Sequence, residues 1–436
     1  MSTPAEDPTC SSINTTPPEI LGYIFELCLE NDVPTPRLPL QTRNVLVRVC
    51  ARWRAVAISI GRLWSDVDIS PDSCARMTPS VVISLLSRQL QWLAECPLCI
   101  RFDGQSIGRK VVGCLQLLLT VSHLWSTATL KLDARDAGVL RESTVAFPML
   151  ESLDIQTADK LWNDRTFDLT RRCPKLRHVV LSRIDDLGPL GPLLPWAQLA
   201  SCSISVLMSA SALQILKLMP QVNDLSITMT LPPTALNRPP VPIDFPNLTT
   251  LNLNYVFFSG REAEWHLMRS IRAPALRHLL YVEQEVGHSV AATVMSRLVQ
   301  TSGCALTRFD WRGLQLDLDG ALSQFTALLA LMPSLQHLSL HPLRLAKRGL
   351  DDDFFAALTF NERQILPLLE SLTVDAVFDC TAGSVATMLR SRNAATGAGK
   401  LRCVLFRFDQ SSRVTQMATV NERLGLEGLR IEIEKR

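Results

Sequence analysis

Apolar residues near the start of the chain recur at spacings of three and four, which is the period of one face of an α-helix. The first run follows Thr16, which can cap a helix, and Pro17, which suits a first helical position, while Glu19 completes a capping box. Its apolar stripe consists of Ile20, Leu21, Ile24, Phe25, Cys28 and Leu29. The pattern predicts an amphipathic helix that begins at this Thr-Pro-Pro-Glu sequence.

A second periodic run follows a connector that is rich in proline. Residues 31–39 contain three prolines and therefore cannot continue the first helix. From about Arg43 the apolar positions share one face again, until Gly61 ends the run as a helix stop does. This face consists of Val45, Leu46, Val49, Cys50, Trp53, Val56, Ala57 and Ile60, with Leu63 and Trp64 just beyond it. Two such helices, about 50 residues in all, bury little surface alone, so we expect them to pack on a partner.

Beyond Trp64 the pattern changes to a short phrase of the form LxxLxL that returns along the chain. Alternate apolar residues of such a phrase point inward from a short strand. Pro148 and Pro174 lie 26 residues apart and Pro246 and Pro274 lie 28 apart, a period typical of leucine-rich repeats. The clearest copies are FPMLESLDI at 147, CPKLRHVVL at 173, MPQVNDLSI at 219, FPNLTTLNL at 245, APALRHLLY at 273 and MPSLQHLSL at 332, with weaker copies at 199, 304, 366 and 400.

Runs with helical spacing, such as SALQILKLMP and GALSQFTALLALMP, separate the strand phrases. One strand–helix unit cannot bury its apolar face alone, so the units must stack. We therefore expect an α/β fold with a curved parallel sheet on the concave side and helices on the convex side. WLAECPLCIRFDG and SHLWSTATLKLD look like poorly matching first repeats, and residues 231–242 and 394–399 are expected to be loops.

The sequence PPEILGYIFELCL followed by VLVRVCARWRAVAISIGRLW resembles the F-box found in a large fungal set of proteins. The resemblance covers residues 16–66, through the Pro-Glu-Ile-Leu start, the Val-Cys-x-x-Trp core and the Leu-Trp close. Residues 67–436, with the clearest repeats at 147–410, are similar to the degenerate leucine-rich repeats of such proteins. The resemblance implies a helical F-box followed by an irregular leucine-rich-repeat solenoid, with residues 1–15 as a flexible tail.

The resemblance also implies a function in protein degradation, as a non-enzymatic adaptor that carries no cofactor. The F-box is expected to bind the Skp-type adaptor of a cullin–RING (SCF-type) ubiquitin ligase, and the repeats are expected to bind an unknown protein target. The residues expected to serve partner binding are Pro18, Ile20, Leu21, Ile24, Phe25, Leu46, Val49, Cys50, Trp53, Leu63 and Trp64.

The chain departs from the family pattern at several positions. Thr16 stands where the family usually has Leu before the Pro, and the connector that contains Arg37 is longer than in compact F-boxes. The Asn or Cys that usually follows the repeat phrase is replaced by Ala158, Ile184 and Val256. The side-chain ladder on the turns is then missing, so we expect irregular repeats.

Other interpretations fit the same N-terminal residues. A plain helical hairpin that caps the repeats is one, since terminal repeats need caps, and the chain is then a leucine-rich-repeat binding scaffold without a ligase role. Six arginines and no acidic residue lie between Val33 and Ser65, which suits an acidic partner. They also fit a solvated helix face or an RNA-binding patch, but few aromatic residues are interleaved with them for base stacking.

Composition narrows the classes of function. The chain has 44 Lys and Arg against 42 Asp and Glu, and a net charge of +2 provides no general field for nucleic acid or a membrane. The start lacks the basic and apolar segments of a signal peptide, and no window has the roughly 20 apolar residues of a membrane span. We expect a cytoplasmic or nuclear protein whose 12 cysteines are buried apolar residues rather than disulfides. The lone CxxC at Cys96 and Cys99 lacks a second ligand pair, so no metal is expected.

One motif points to a different chemistry. Ser106 lies in a GxSxG sequence between a strand-like and a helix-like segment, as the nucleophile of a serine hydrolase does. Such a hydrolase also needs earlier strands, an oxyanion loop, and a later acid and histidine. We therefore interpret Ser106 as part of a strand-to-helix turn, with a hydrolase as the remote alternative. The acidic run at residues 351–353 is interpreted as the start of a helix.

Alignment of the strand phrases places one polar position in register. The residues just before the second apolar position are Ser152, His178, Asp224, Thr250, His278, Arg308, His337 and Ser371. His278, Arg308 and His337 are therefore predicted to lie side by side on three neighbouring strands, on the concave face of the sheet. Neighbouring strands lie about 4.8 Å apart, so His278 and His337 are too far apart to share a zinc ion. We interpret them as a basic ribbon for an acidic or phosphorylated target segment, with solvated filler residues as the alternative.

Overall fold

The second periodic run of the sequence forms two helices rather than one. In the computed structural model the described part of the N-terminal region contains three helices and a 3₁₀ turn: α1 (Pro18–Glu30), α2 (Pro39–Val49), α3 (Ala51–Ser59) and Gly61–Trp64. Cys50 breaks the run, because its backbone is extended (φ −157°, ψ 173°) and its Sγ accepts a hydrogen bond from the Trp53 N–H. The prediction of one continuous helix was therefore wrong. A single extended cap residue redirects the chain without disturbing the three-and-four spacing, so periodicity does not reveal it.

The structure describes most of the chain. The described residues are 15–30, 39–74, 77–107, 113–157, 168–184, 194–206, 209–229, 241–255, 266–283, 290–314, 320–342, 350–360, 365–375, 380–394, 400–408 and 429–435. The predicted tail, connector and two loops lie largely outside these segments, as do Ala158 and Val256 of the expected turn positions. Within them, α1 begins at Pro18, one residue later than predicted, and α2 begins at Pro39, which the sequence assigned to the connector.

The N-terminal helices close around a small hydrophobic core. Its buried members are Leu21, Phe25, Leu46, Val56, Ala57, Leu63 and Trp64. The Trp64 Nε1–H donates to the Ala57 carbonyl at 2.9 Å, and the rings of Phe25 and Trp53 lie 4.9 Å apart. Trp64 also contacts Trp92 of a later helix, with ring centroids 4.7 Å apart. The three short helices therefore complete their core with residues from the segment that follows them, as their small size requires.

The chain divides into two units, of which the first comprises Met1–Val180 and Leu190–Pro195. Its further described elements are β1 (Asp66–Ile69), α4 (Pro71–Cys74), α5 (Pro79–Trp92), β2 (Leu98–Asp103), α6 (Gly104–Ile107), α7 (Cys114–Thr120), a 3₁₀ turn (Ser122–Leu124), β3 (Trp125–Leu132), α8 (Ala134–Glu142) and β4 (Ser152–Thr157). β1 to β4 pair in chain order and in parallel, with Val67 opposite Ile100 and Ile100 opposite Ala128. The two poorly matching first repeats of the sequence coincide with β2 and β3.

The second unit comprises Leu181–Pro189 and Trp196–Arg436, and the boundary between the units falls within β5 (His178–Ile184). Its further described elements are a 3₁₀ turn (Trp196–Gln198), β6 (Ser201–Val206), α9 (Ser209–Leu216), β7 (Asp224–Met229), β8 (Ile243–Asp244), β9 (Thr250–Tyr255), α10 (His266–Ser270), β10 (Ile271–Arg272), β11 (His278–Glu283), α11 (Val290–Ser302), β12 (Arg308–Leu314), α12 (Ala321–Ala330), β13 (His337–Pro342), α13 (Asp352–Leu358), β14 (Ser371–Asp375), α14 (Ala382–Ala394), β15 (Cys403–Phe408) and β16 (Arg430–Lys435). Its strands pair in the order β6, β7, β9, β11, β12, β13, β14, β15, β16, and β8 pairs with β10. Each described pairing is parallel.

Residues of these strands alternate between a buried face and an exposed face. In β11, Leu279 and Tyr281 are fully buried, whereas His278 lies on the exposed face. On the buried side the Tyr281 ring lies 5.6 Å from Trp311 in β12, and Trp311 lies 5.6 Å from Phe325 in α12. The predicted α/β class, with a long parallel sheet and intervening helices, is confirmed. None of the helices in the described segments is long and apolar enough to cross a membrane.

Candidate functional site

Two stripes of large apolar side chains on the N-terminal helices face water. In the described part of α1 they are Ile20, Tyr23 and Ile24, which are 51%, 61% and 37% exposed. In α2 they are Val45 and Val49, which are 59% and 52% exposed. Within each helix these positions are spaced by three or four residues, so they share one side of it. We refer to these five residues as the apolar stripes.

The partner-binding residues expected from the sequence separate into three groups. Pro18, Ile20, Ile24 and Val49 are exposed, and Cys50 and Trp53 are partly exposed. The remaining five are core residues, exposed by no more than 6%: Leu21, Phe25, Leu46, Leu63 and Trp64. A buried side chain cannot contact a partner directly, and it affects binding only by shaping the surface above it. The five core residues therefore support the fold of the module, and a direct contact is left to the exposed ones.

The sequence interpretation did not include Tyr23 and Val45 among the partner-binding residues. Tyr23 lies three residues after Ile20, and Val45 lies four before Val49, so the helical spacing already contained the signal. It was missed because periodicity shows which apolar residues share a face but not which part of that face the core covers. The structure adds both residues to the candidate site.

The arginines of the module do not form one free face. Arg43 is 4% exposed, and its guanidinium donates to the Asp66 carbonyl oxygen at 2.7 Å and lies 3.4 Å from the Asp66 carboxylate. Burial lowers the pKa of Arg43, and the Asp66 carboxylate partly offsets this. Arg52 donates to the Thr16 carbonyl oxygen. Arg43 and Arg52 therefore tie the module together.

The other described arginines of the module are exposed at the surface. Arg48 is exposed, and Arg54 uses its Nε to donate to the Val47 carbonyl at 2.8 Å. Arg62 lies 3.7 Å from Glu26, and its side chain is 66% exposed. Exposed pairs of this kind contribute little to stability. The described part of the module therefore exposes Arg48, Arg54 and Arg62, which are fewer arginines than the sequence suggested.

The second candidate site lies on the exposed face of the sheet. His278 pairs with Arg308, and Arg308 pairs with His337, on the neighbouring strands β11, β12 and β13. These three residues thus occupy consecutive rungs, as the alignment of the strand phrases predicts. The same register places Thr250 on one side of the row and Ser371 on the other.

An acidic residue in the middle of this row changes its charge. Asp310 is 7% exposed, and its Oδ2 lies 2.8 Å from His278 Nε2 and 2.9 Å from Arg308 Nε. Burial raises the pKa of Asp310, but hydrogen bonds and charge from His278 and Arg308 outweigh it, so the pKa is lowered overall. The row is therefore not purely basic, because a carboxylate neutralises part of its charge. Asp310 follows Arg308 by two residues, so the period of the strand would have found it.

A second pair of histidine and acid lies further along the same strands. His341 Nδ1 lies 3.3 Å from Asp375 Oδ2, and His341 Nε2 lies 2.9 Å from Ser339 Oγ. The side chains of His341 and Asp375 are 22% and 10% exposed. These contacts hold the polar side chains of β13 and β14 in fixed orientations. This face of the sheet thus holds two pairs of histidine and carboxylate, His278 with Asp310 and His341 with Asp375.

Ser106 forms hydrogen bonds with Asp103. Its hydroxyl donates to Asp103 Oδ2 at 3.0 Å, and its backbone N–H donates to Asp103 Oδ1 at 2.9 Å. Asp103 therefore caps the short helix α6, and no histidine contacts Ser106 within the described segments. A Cβ at Gly104 would lie 1.9 Å from the Asp136 carboxylate, which explains this glycine without a nucleophile.

The acidic run at residues 351–353 starts a helix, as predicted. Asp351 caps α13 by accepting a hydrogen bond from the Phe354 N–H at 3.0 Å. Asp352 accepts hydrogen bonds from Thr381 and Ser384 instead of facing an ion site. In the described part of the chain, no three His, Cys, Asp or Glu side chains converge as metal ligands would.

No protein-family model matches the chain, and no curated protein shows significant similarity to it. The F-box and leucine-rich-repeat resemblance therefore rests on the residues quoted above. What the chain does must be argued from the apolar stripes and the polar sheet face.

Proposed function

We propose that the chain is the substrate-recognition adaptor of an SCF-type ubiquitin ligase. Residues 16–66 act as an F-box that binds a Skp-type adaptor, and the sheet binds the protein to be degraded. The observation that carries this proposal is the pair of apolar stripes on α1 and α2. Transfer of ubiquitin is the task of other subunits, so this chain contributes proximity and not catalysis.

The energetics of the stripes favour a protein partner. Full burial of a Val, Ile or Phe-sized side chain stabilises a complex by about 1.5–3 kcal/mol. Tyr23 adds an aromatic anchor of the kind that dominates interface energetics. Soluble proteins rarely leave such groups together at the surface unless another molecule covers them. Arg48 and Arg62, exposed on the same module, would steer an acidic partner towards it.

The first test replaces stripe residues with a charge. Ile20→Asp and Val49→Asp both change exposed positions, so the fold is expected to survive. Each should weaken co-purification with a Skp-type adaptor by roughly 30-fold or more, because a buried carboxylate replaces an apolar anchor. Val241→Asp, at a valine that is 68% exposed in the second unit, is the matched control. Unchanged adaptor binding by both stripe variants, with circular dichroism like that of the parent, would contradict the F-box assignment.

Trp53 tests the supporting layer of the same module. The partly exposed Trp53 ring packs on the buried Phe25 ring. Trp53→Ala should therefore also abolish pull-down of the adaptor. The alternative function, a binding scaffold of the same fold without a ligase role, predicts that neither the parent nor any variant co-purifies with a Skp-type adaptor. The pull-down therefore separates the two functions directly.

Target capture is assigned to the row formed by His278, Arg308 and His337. The Arg308 side chain is 56% exposed, and Asp310 holds its Nε, which leaves the two terminal nitrogens to grip a carboxylate or phosphate. Proximity labelling with the parent and with Arg308→Glu tests this role. The variant should lose labelled targets while it keeps the Skp-type adaptor. Identical labelling by both forms would remove the row from the proposal.

A further inference from the structure

A cavity of about 460 Å³ lies in the first unit, where α2 and α3 meet the segment from β1 to α5. Its apolar wall includes Val47, Ile58, Val67, Met77 and Leu86. Trp64 and Trp92 also line it. Well-packed interiors leave few voids larger than a water molecule, whereas small-molecule sites are apolar concavities of roughly 300–1,000 Å³. The volume and the wall are those of a site for one small apolar molecule.

The opening of this cavity is positively charged. Arg48, Arg54 and Arg88 line it and are also exposed to solvent, which places them at its mouth. Arg54 uses its Nε on the Val47 carbonyl and keeps its terminal nitrogens. In the segments that the structure describes, Arg48 and Arg88 form no hydrogen bond or ion pair. Three guanidinium groups are thus available to a ligand.

The other polar groups of the cavity are engaged in part. Gln89 Nε2 donates to the carbonyl oxygens of Trp64 and Asp66, each at 2.9 Å. Asp68 is the acidic residue of the lining: its Oδ2 lies 3.7 Å from Arg101, its Oδ1 is buried without a hydrogen-bond partner among the described residues, and burial raises its pKa. Three arginines therefore face one carboxylate that has its own cation. The charge of the mouth is complementary to an anion, and the wall behind it is complementary to a hydrocarbon.

We propose that this cavity binds a small amphiphilic anion, an apolar chain that ends in a carboxylate. The chain lies against Trp64, Trp92 and Leu86, and the carboxylate lies among Arg48, Arg54 and Arg88. The site is built by helices of the N-terminal module together with α5, so an occupied cavity stabilises the packing of these helices. The proposal stands on this cavity alone and does not require the module to bind a ligase.

Titration calorimetry on the full chain with three matched twelve-carbon probes tests the proposal. Sodium dodecanoate, dodecanol and dodecylammonium share the chain and differ in the head group. Dodecanoate is expected to bind with a Kd on the order of 10 µM, about tenfold more tightly than dodecanol, while dodecylammonium binds most weakly. Equal binding of all three probes, or no binding of dodecanoate at about 1 mM, overturns the proposal.

Two variants on α5 test whether dodecanoate binds in this cavity. Leu85 lines the cavity and is 40% exposed, whereas Val81, one turn earlier on α5, is 44% exposed and lies outside the lining. Leu85→Trp should fill the cavity and reduce dodecanoate binding at least tenfold, and Val81→Trp should leave it unchanged. Equal effects of the two variants would overturn the proposed location.

The charge requirement has its own control. The double variant Arg48→Ala with Arg88→Ala should bring dodecanoate down to the affinity of dodecanol, without changing dodecanol binding. Arg177→Ala, at an exposed arginine of the same unit, should change neither. If dodecanoate binds equally to the parent and to the double variant, the anion part of the proposal fails. If an acidic peptide binds this cavity and dodecanoate does not, the site belongs to a protein partner and the proposal also fails.

Discussion

The N-terminal helices and the strands of the second unit place their apolar residues in different ways. In α1, Phe25 is buried, but Ile20 and Tyr23 are 51% and 61% exposed. In β9, Leu253 is 1% exposed, and the other face carries polar residues such as Asn252. The strand thus hides its apolar residues, whereas the helix leaves a large part of its own in water.

The difference follows from the periods of the two elements. A strand has two faces, so a period of two separates apolar from polar residues completely. A helix carries its apolar residues over a broad arc, and the small core of three short helices covers part of that arc. The helices therefore leave a surplus of apolar surface exposed to solvent. In the proposed function this surface binds a partner by hydrophobic burial, and the polar face of the sheet contributes specificity more than affinity.

The largest expected effect separates the core of the module from its apolar stripes. Phe25→Ala should lower the free energy of unfolding by about 4 kcal/mol, because it opens a cavity in the core. Ile20→Ala on the same helix should change it by less than about 0.5 kcal/mol, because Ile20 is half exposed. Urea unfolding of the two variants followed by circular dichroism measures both values. Comparable losses would show that the stripe is part of the core after all.

Arg392 in α14 tests whether the second unit tolerates a charge in its interior. It is fully buried, and its guanidinium donates to the carbonyl oxygens of Leu358, Ile365 and Leu366 at 2.6–2.9 Å. Burial lowers its pKa to about 10, so it stays protonated at neutral pH.

Removal of this side chain should leave three carbonyl groups, two of them fully buried, without their donor. Arg392→Met is therefore expected to lower the free energy of unfolding by about 3 kcal/mol. Arg390→Met, at an exposed arginine of the same helix, should have little effect. Chemical denaturation compares the variants, and a neutral result at Arg392 would mean that the carbonyl groups find other partners.

Glu283 gives the second unit a dependence on pH. It is 6% exposed at the end of β11, and burial raises its pKa to about 8 from the ordinary 4.5. Between these two values the folded state holds a proton that the unfolded state has lost. The free energy of unfolding should therefore fall as pH rises, by about 2 kcal/mol between pH 5 and pH 7.

Glu283→Gln removes the titrating group and keeps the shape of the side chain. The variant should show a flatter profile of urea midpoint against pH, while Asp353→Asn, at an exposed position, should reproduce the slope of the parent. An unchanged slope in Glu283→Gln would assign the pH dependence to another group.

The smallest expected effect concerns the polar face of the sheet. The pKa of Asp310 is lowered overall: burial raises it, but His278 and Arg308 outweigh burial. The stabilisation is therefore present above the ordinary carboxyl pKa and is lost as pH falls. Asp310→Asn should cost about 1 kcal/mol at pH 7 and clearly less at about pH 3, because the stabilisation is lost as pH falls through the lowered pKa. Thermal unfolding at both pH values checks this, with Asp224→Asn on β7 as the control. A cost that persists in acid would show that charge is not the cause.

The sequence by itself determined α1, the strand–helix repeats and the rungs of the sheet. The register of His278, Arg308 and His337 followed from aligning the phrases, because a period of two and a period near 3.6 are imposed by the backbone of each element. These features depend on residues close together in the chain. These features could therefore be predicted without a structure.

The tertiary structure decided which of those residues are available. It broke the second helix at Cys50, buried Arg43 against Asp66 and placed Asp310 against His278, a residue 32 positions away. It also left Tyr23 in water and opened the cavity beneath α2 and α3. Exposure, ion pairing and empty volume depend on which surfaces meet when the chain packs. Periodicity along the sequence does not show which surfaces pack against each other. The charge and the accessibility of both candidate sites could therefore be determined only from the tertiary structure.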